Sequence, residues 1–122
     1  MYDVTIDTAR QLMKVKVSGF WSEETFKTYA AEATKRSEEL RRTGGFKYVL
    51  IDMSDFPIQS AVVAEMHGRL LQAAQDGYGV RAAVVMTSAL SRLQATRVAK
   101  LTGNDLFDDA DTAVAALMQS DR

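Results

Sequence analysis

Tyr48-Val49-Leu50-Ile51 and Ala82-Ala83-Val84-Val85-Met86 are unbroken apolar runs of strand length. Neither alternates with period two, so both read as central strands of a sheet covered on its two faces. Between them, Ser60 is placed to cap a helix in which Val62, Val63, Met66, Leu70 and Ala73 or Ala74 recur at helical spacing and face inward. A Gly77-Tyr78-Gly79 loop then closes a strand-helix-strand unit. Such a unit predicts parallel strands that are neighbours or near-neighbours in one sheet.

Working outward toward the N-terminus, Tyr2-Asp3-Val4-Thr5-Ile6-Asp7 alternates apolar with polar residues, and Met13, Val15 and Val17 alternate with Lys14, Lys16 and Ser18. These read as two half-exposed strands. The short Thr8-Ala9-Arg10-Gln11 link makes them an antiparallel hairpin. At Ser22 the period changes: its side chain suits an N-cap, Glu23 and Glu24 occupy the first turn, and Trp21 and Phe26 have the spacing of a hydrophobic staple. Phe26, Tyr29, Ala30, Ala33, Ser37 and Leu40 continue the helical stripe up to Gly44-Gly45, where a left-handed glycine is expected to end it.

Toward the C-terminus, Thr87-Ser88 leads into a further helix carrying Leu90, Leu93 and Leu101, with Gly103 beyond its end. Leu106-Phe107 is a short strand. Asp108-Asp109 caps a last helix through Ala110, Ala113, Val114 and Leu117. The order β-β-α-β-α-β-α-β-α describes one α/β domain over residues 1–122, with a mixed, mostly parallel sheet.

Composition bounds the function. Apolar residues at 47%, charged residues at 25% and a net charge of -1 give no electrostatic reason to expect nucleic acid as a partner. No cysteine is available for a disulfide or a thiolate nucleophile, and no second histidine joins His67 for a metal site. The start of the chain has no signal-peptide pattern and no apolar run is long enough for a membrane span, so a cytoplasmic location is expected.

The strand Val49-Leu50-Ile51-Asp52-Met53-Ser54, the ending Leu106-Phe107-Asp108-Asp109-Ala110-Asp111-Thr112-Ala113 and the element order together resemble the STAS family, in its SpoIIAA-like branch. That resemblance implies the fold of bacterial anti-sigma-factor antagonists. It also implies a regulatory, protein-binding role without catalysis. In that family the loop after the strand has the form Asp-Ser-Ser-Gly and its serine is phosphorylated. Here the loop is Asp55-Phe56-Pro57-Ile58-Gln59-Ser60-Ala61, so Ser60 is the phosphorylation candidate that remains.

Ligands of open α/β sheets gather at the carboxyl ends of strands. This edge should carry Asp52, Ser54, Asp55 and Ser60, together with Ser88, Arg92 and Arg97, as a surface for a protein partner or an anion. Capping and turn formation are the competing uses of the serines and aspartates. Phe20, Trp21, Phe26 and Tyr29 gather where the hairpin meets the first helix, as core or as one wall of an apolar pocket that Met53, Met66 and Met86 could complete. The related lipid-binding STAS/SEC14-like group suggests the second use.

Catalysis finds little support. Ser60, His67 and Asp52 are the residue types of a hydrolase triad without a Gly-x-Ser-x-Gly elbow. There is no Gly-x-Gly-x-x-Gly or Walker motif, and a phosphoacceptor receiver would need acidic Mg²⁺ ligands and a lysine where the chain has Asp7 and Asp108-Asp109. The chain is therefore expected to bind without a cofactor, either as a protein-interaction module or as a carrier of a small apolar or anionic ligand. A carrier should hold a cavity beneath the first helix. An interaction module should have a filled core and an exposed apolar patch near the helix of Leu90. Val98 lies about 140° around that helix from Leu93, which leaves an apolar side chain for a homodimer contact.

Overall fold

A computed structural model describes residues 1–86, 105–107 and 109–119. Strands β1 (Tyr2–Asp7) and β2 (Leu12–Ser18) are followed by helix α1 (Glu23–Thr43), strand β3 (Tyr48–Asp55) and helix α2 (Ala61–Tyr78). Strands β4 (Arg81–Val85) and β5 (Asp105–Phe107) and helix α3 (Ala110–Gln119) complete the described chain. The helix expected around Leu90, Leu93, Val98 and Leu101 lies outside the described residues, and so do Thr87, Ser88, Arg92, Arg97 and Asp108.

The five strands form one sheet in the order β1-β2-β3-β4-β5. β1 pairs antiparallel with β2, Val4 opposite Val15, and every later pairing is parallel. The two apolar runs are adjacent, with Val49 opposite Ala82 and Ile51 opposite Val84. Both described crossovers, β2 to β3 and β3 to β4, step the same way along the sheet, so a common handedness puts α1 and α2 on one face. Their inward residues share a core with Met13, Val15, Val17, Val49, Ile51 and Val84. On the opposite face Leu12, Tyr48, Leu50, Ala83 and Val85 pack against Ala113 and Leu117 of α3.

This division explains the two sequence patterns. β3 and β4 are apolar on both faces because both are covered. In β2 only one face is buried as a row, so Lys14 and Lys16 between Met13, Val15 and Val17 remain exposed. The hairpin turn at Gln11 does more than reverse the chain. Gln11 has φ 57, its carbonyl accepts from Lys47 N and Tyr48 N, and its side-chain amide donates to the Gly44 carbonyl. One residue thereby ties the hairpin to the end of α1 and the start of β3.

Several local expectations need correction. Gly44 caps α1 with extended backbone, φ 169, and the positive φ of 109 falls on Gly45. α2 runs on through Gly77 and Tyr78 instead of stopping in a loop there; Gly79 is the left-handed cap, its N–H bonded to the Gln75 carbonyl. The buried stripe of α2 is Val63, His67, Gly68 and Leu71, while Met66 and Leu70 are half-buried and Val62 and Ala73 are exposed. Phe20 also departs from the aromatic group and points to solvent.

Candidate functional site

The N-caps fix the two helices that frame the site. Ser22 Oγ accepts from Thr25 N at 3.1 Å and Ser60 Oγ from Val63 N at 3.2 Å. The loops ahead of these caps are joined through the buried side chain of Gln59. Its Oε1 accepts from Trp21 N at 2.8 Å, and its Nε2 donates to the carbonyls of Gly19 and Pro57 at 3.0 and 2.8 Å. A buried amide with both ends engaged holds the two loops in one relation.

That relation delivers Trp21 and Phe56 to the interior, where both meet His67. The imidazole is only 5% exposed, and its ring centroid lies 4.9 Å from those of Trp21 and Phe26, 5.2 Å from Phe56 and 5.5 Å from Tyr29. Its Nε2 is buried with no hydrogen-bond partner. Burial pushes the His67 pKa down to about 4, so the ring is neutral near pH 7. Burial likewise holds the Tyr29 hydroxyl well above the ordinary phenol range.

Beside His67, α1, α2 and the sheet frame a half-open cavity of about 190 Å³. Met13, Val49 and Ile51 form its floor and Ala33, Leu70 and Leu71 part of its walls. The rim holds Thr34 and Ala73, both exposed. Alanines at 33, 73 and 74 leave room that longer side chains would fill. Ser37 presents little polarity here, since its hydroxyl donates to the Ala33 carbonyl at 2.7 Å. Among the described residues the lining includes no Asp, Glu, Lys or Arg.

Of the residues expected to line an apolar pocket, Tyr29 does so. Trp21 and Phe26 stand one layer away, against the His67 ring, while Met53 and Met86 are buried in the core and Met66 packs on it half-buried. None of these five is among the lining residues.

At the carboxyl edge the described residues take the capping and turn uses. Asp52 Oδ1 accepts from Ser54 N at 2.9 Å and from Ser54 Oγ at 2.6 Å, and Asp55 Oδ2 pairs with Lys16 Nζ at 3.3 Å on the surface. These groups are engaged with one another and with the sheet. Ser60 caps α2 while His67 is walled in by aromatic rings, so the Ser60, His67 and Asp52 set does not assemble as a triad. The strand order also advances without reversal from β2 to β5, and so opens no switch-point crevice among the described strands. The edge does expose apolar side chains instead: Phe20 at 71%, Ile58 at 45% and Val62 at 51%. Ser60 lies between the last two in sequence and is itself exposed.

Among the described residues no three His, Cys, Asp or Glu side chains gather to hold a metal ion. No described helix is long and apolar enough to cross a membrane. Compared with known protein families and with curated proteins, the chain matches none.

Proposed function

We propose that this chain is a non-catalytic binding domain of the STAS-like kind, which holds a small, uncharged, mainly apolar ligand between α1, α2 and the sheet. The observation that carries this reading is the cavity of about 190 Å³. Protein interiors are close-packed, and a half-open apolar recess of this size forfeits contacts that larger side chains at Ala33 or Ala74 would supply. Its volume suits a one-ring molecule, since an apolar cavity of roughly 150 Å³ takes up benzene or xenon. Of the two functions weighed on the sequence, the carrier is the one that requires such a space beneath the first helix. The antiparallel hairpin followed by parallel strands in sequential order supports the STAS-like assignment.

The test is to introduce xenon to the protein and follow the methyl NMR signals of the lining. Xenon is expected to shift Ala33, Leu70 and Leu71, and Ala33→Leu is expected to abolish the shifts while leaving the fold intact. Unchanged lining signals under several atmospheres of xenon would overturn the reading.

A second reading, a protein-interaction module, is favoured by the exposed Phe20, Ile58 and Val62 at the carboxyl edge. A phosphate on Ser60 would meet the N-terminus of α2, where the dipole favours negative charge, and would change the character of that patch. Phosphosite mapping together with partner capture by the native chain and by Ile58→Lys tests it. No phosphate on Ser60 and an identical set of captured proteins would remove this reading.

A further inference from the structure

The wall of the cavity narrows its ligand further than volume does. Charge is excluded first. Among the described residues the lining supplies no Asp, Glu, Lys or Arg, and an unpaired charge would enter the recess at a prohibitive desolvation penalty. His67 does not supply a cation near pH 7, because burial keeps its ring neutral, and its Nε2 is sealed from water behind the surrounding rings. An anionic ligand, one of the options the sequence left open, therefore does not suit this space.

The other polar side chains of the wall are Tyr29, Thr34, Ser37 and Tyr78. Ser37 donates to the Ala33 carbonyl at 2.7 Å, Tyr78 is hydrogen-bonded to Glu38, and Thr34 stands exposed at the rim. Tyr29 differs from all three. It is 3% exposed, and burial raises its pKa with no hydrogen bond contributing. Its hydroxyl is nevertheless not among the unpartnered atoms sealed from water, as His67 Nε2 is. An unbonded hydroxyl that is not sealed keeps a face on open space, and for a side chain this deeply buried that space is the cavity it lines.

Four rings hold this hydroxyl in place. Tyr2, Trp21, Phe26 and His67 surround the Tyr29 ring at centroid distances of 5.4, 5.1, 5.8 and 5.5 Å. A group fixed before the ligand arrives loses little freedom on binding. Burial keeps the phenol protonated near pH 7, so it offers a donor. A ligand hydroxyl could accept that proton but would bring one of its own to place against an apolar wall, whereas a carbonyl oxygen accepts and brings none.

Resting on the cavity reading, we infer that the ligand is a neutral molecule of about one ring whose carbonyl oxygen accepts a hydrogen bond from the Tyr29 hydroxyl. Tyr2, Trp21, Phe26 and His67 are positioning residues behind the one that touches the ligand. Access runs past the exposed Thr34 and Ala73 at the rim.

Cyclohexanone and methylenecyclohexane test this as a pair, because they share shape and differ by a carbonyl oxygen against a methylene carbon. Tyr29→Phe removes the hydroxyl and keeps the ring. By titration of the lining methyl signals, the variant is expected to bind cyclohexanone about tenfold more weakly than the unaltered protein, and methylenecyclohexane within about twofold of it. The infrared carbonyl stretch of the bound ketone should lie lower in the unaltered protein than in Tyr29→Phe, as a hydrogen-bonded carbonyl does. Without ligand the variant should keep or raise its urea midpoint, since the lost hydroxyl had no partner. A clear fall in that midpoint would show the hydroxyl bonded within the protein and overturn the inference. Equal ketone affinity in the two proteins would overturn it and leave the cavity reading standing, and so would uptake of xenon without uptake of the ketone. No response to xenon or to either probe would overturn both.

Discussion

Trp21→Ala is expected to lower the unfolding free energy by about 4 kcal/mol, measured by urea denaturation. The indole is 1% exposed and is among the largest fully buried side chains in the described chain. It makes edge contacts with Tyr2, Tyr29 and Phe56 at centroid distances of 5.9, 5.1 and 5.4 Å, and lies tilted at 4.9 Å from His67. Removal therefore forfeits burial and also opens a space that four rings from separate elements cannot all collapse into. The Nε1 donor adds a smaller contribution, because it holds the Ser18 carbonyl at 2.8 Å where β2 ends. Trp21→Phe keeps most of the packing while giving up that bond, and should lose about 1–2 kcal/mol. A domain of ordinary stability has only about 5–15 kcal/mol in hand, so the alanine variant should be close to unfolding at 37 °C. A loss below about 2 kcal/mol would mean that the aromatic cluster does not organise this end of the core.

The pattern of burial explains how much could be read in advance. Tyr48 to Ile51 and Ala82 to Met86 disclosed their place because a strand covered on both faces has no room for polar residues at either parity. Lys14 and Lys16 disclosed the opposite situation in β2. Ser22 and Ser60 marked helix starts through local bonds alone, and both caps are present. These features depend on neighbours in sequence, or on the period of one element, and so survive in a linear reading.

The site depends on other things. The α2 stripe was expected to include Val62, Val63, Met66, Leu70 and Ala73 or Ala74, and of these Val63 is buried. The helix is instead rotated so that His67 and Gly68 point inward, with Val62 left on the surface. Periodicity weighs each side chain by its own transfer preference, whereas His67 is buried by partners that arrive from Trp21, Phe26, Tyr29 and Phe56. The spacing does put His67 one turn from Val63 and Leu71, which reads as the edge of the buried face; the structure leaves it only 5% exposed. Gln59 was equally hidden, because the groups it bonds lie at Gly19, Trp21 and Pro57, and only Pro57 is near in sequence. The pocket residues Trp21 and Phe26 were placed in the right neighbourhood, but large rings close space and the nearby alanines leave it.

Acidification is expected to remove about 3 kcal/mol of stability between pH 6.5 and about 4 through His67 alone. In the unfolded chain the imidazole titrates near its ordinary value of 6.5, while in the folded chain burial holds it down to about 4. Above 6.5 both states carry a neutral ring and the difference has no effect. As the pH falls below 6.5 the unfolded chain takes up a proton that the native interior resists, so unfolding becomes steadily more favourable. Below about 4 both states are protonated and this contribution levels off. His67 is the chain's single histidine, so down to pH 5, before most carboxylates titrate, the slope should belong largely to it. By then about 2 kcal/mol should be lost. His67→Leu should flatten the profile between pH 6.5 and 5, since leucine has no proton to exchange and replaces a polar atom that lacks a partner. Urea midpoints at half-unit pH steps decide the matter. A flat profile in the unaltered protein would place His67 in contact with water and undo the argument for an orphaned nitrogen.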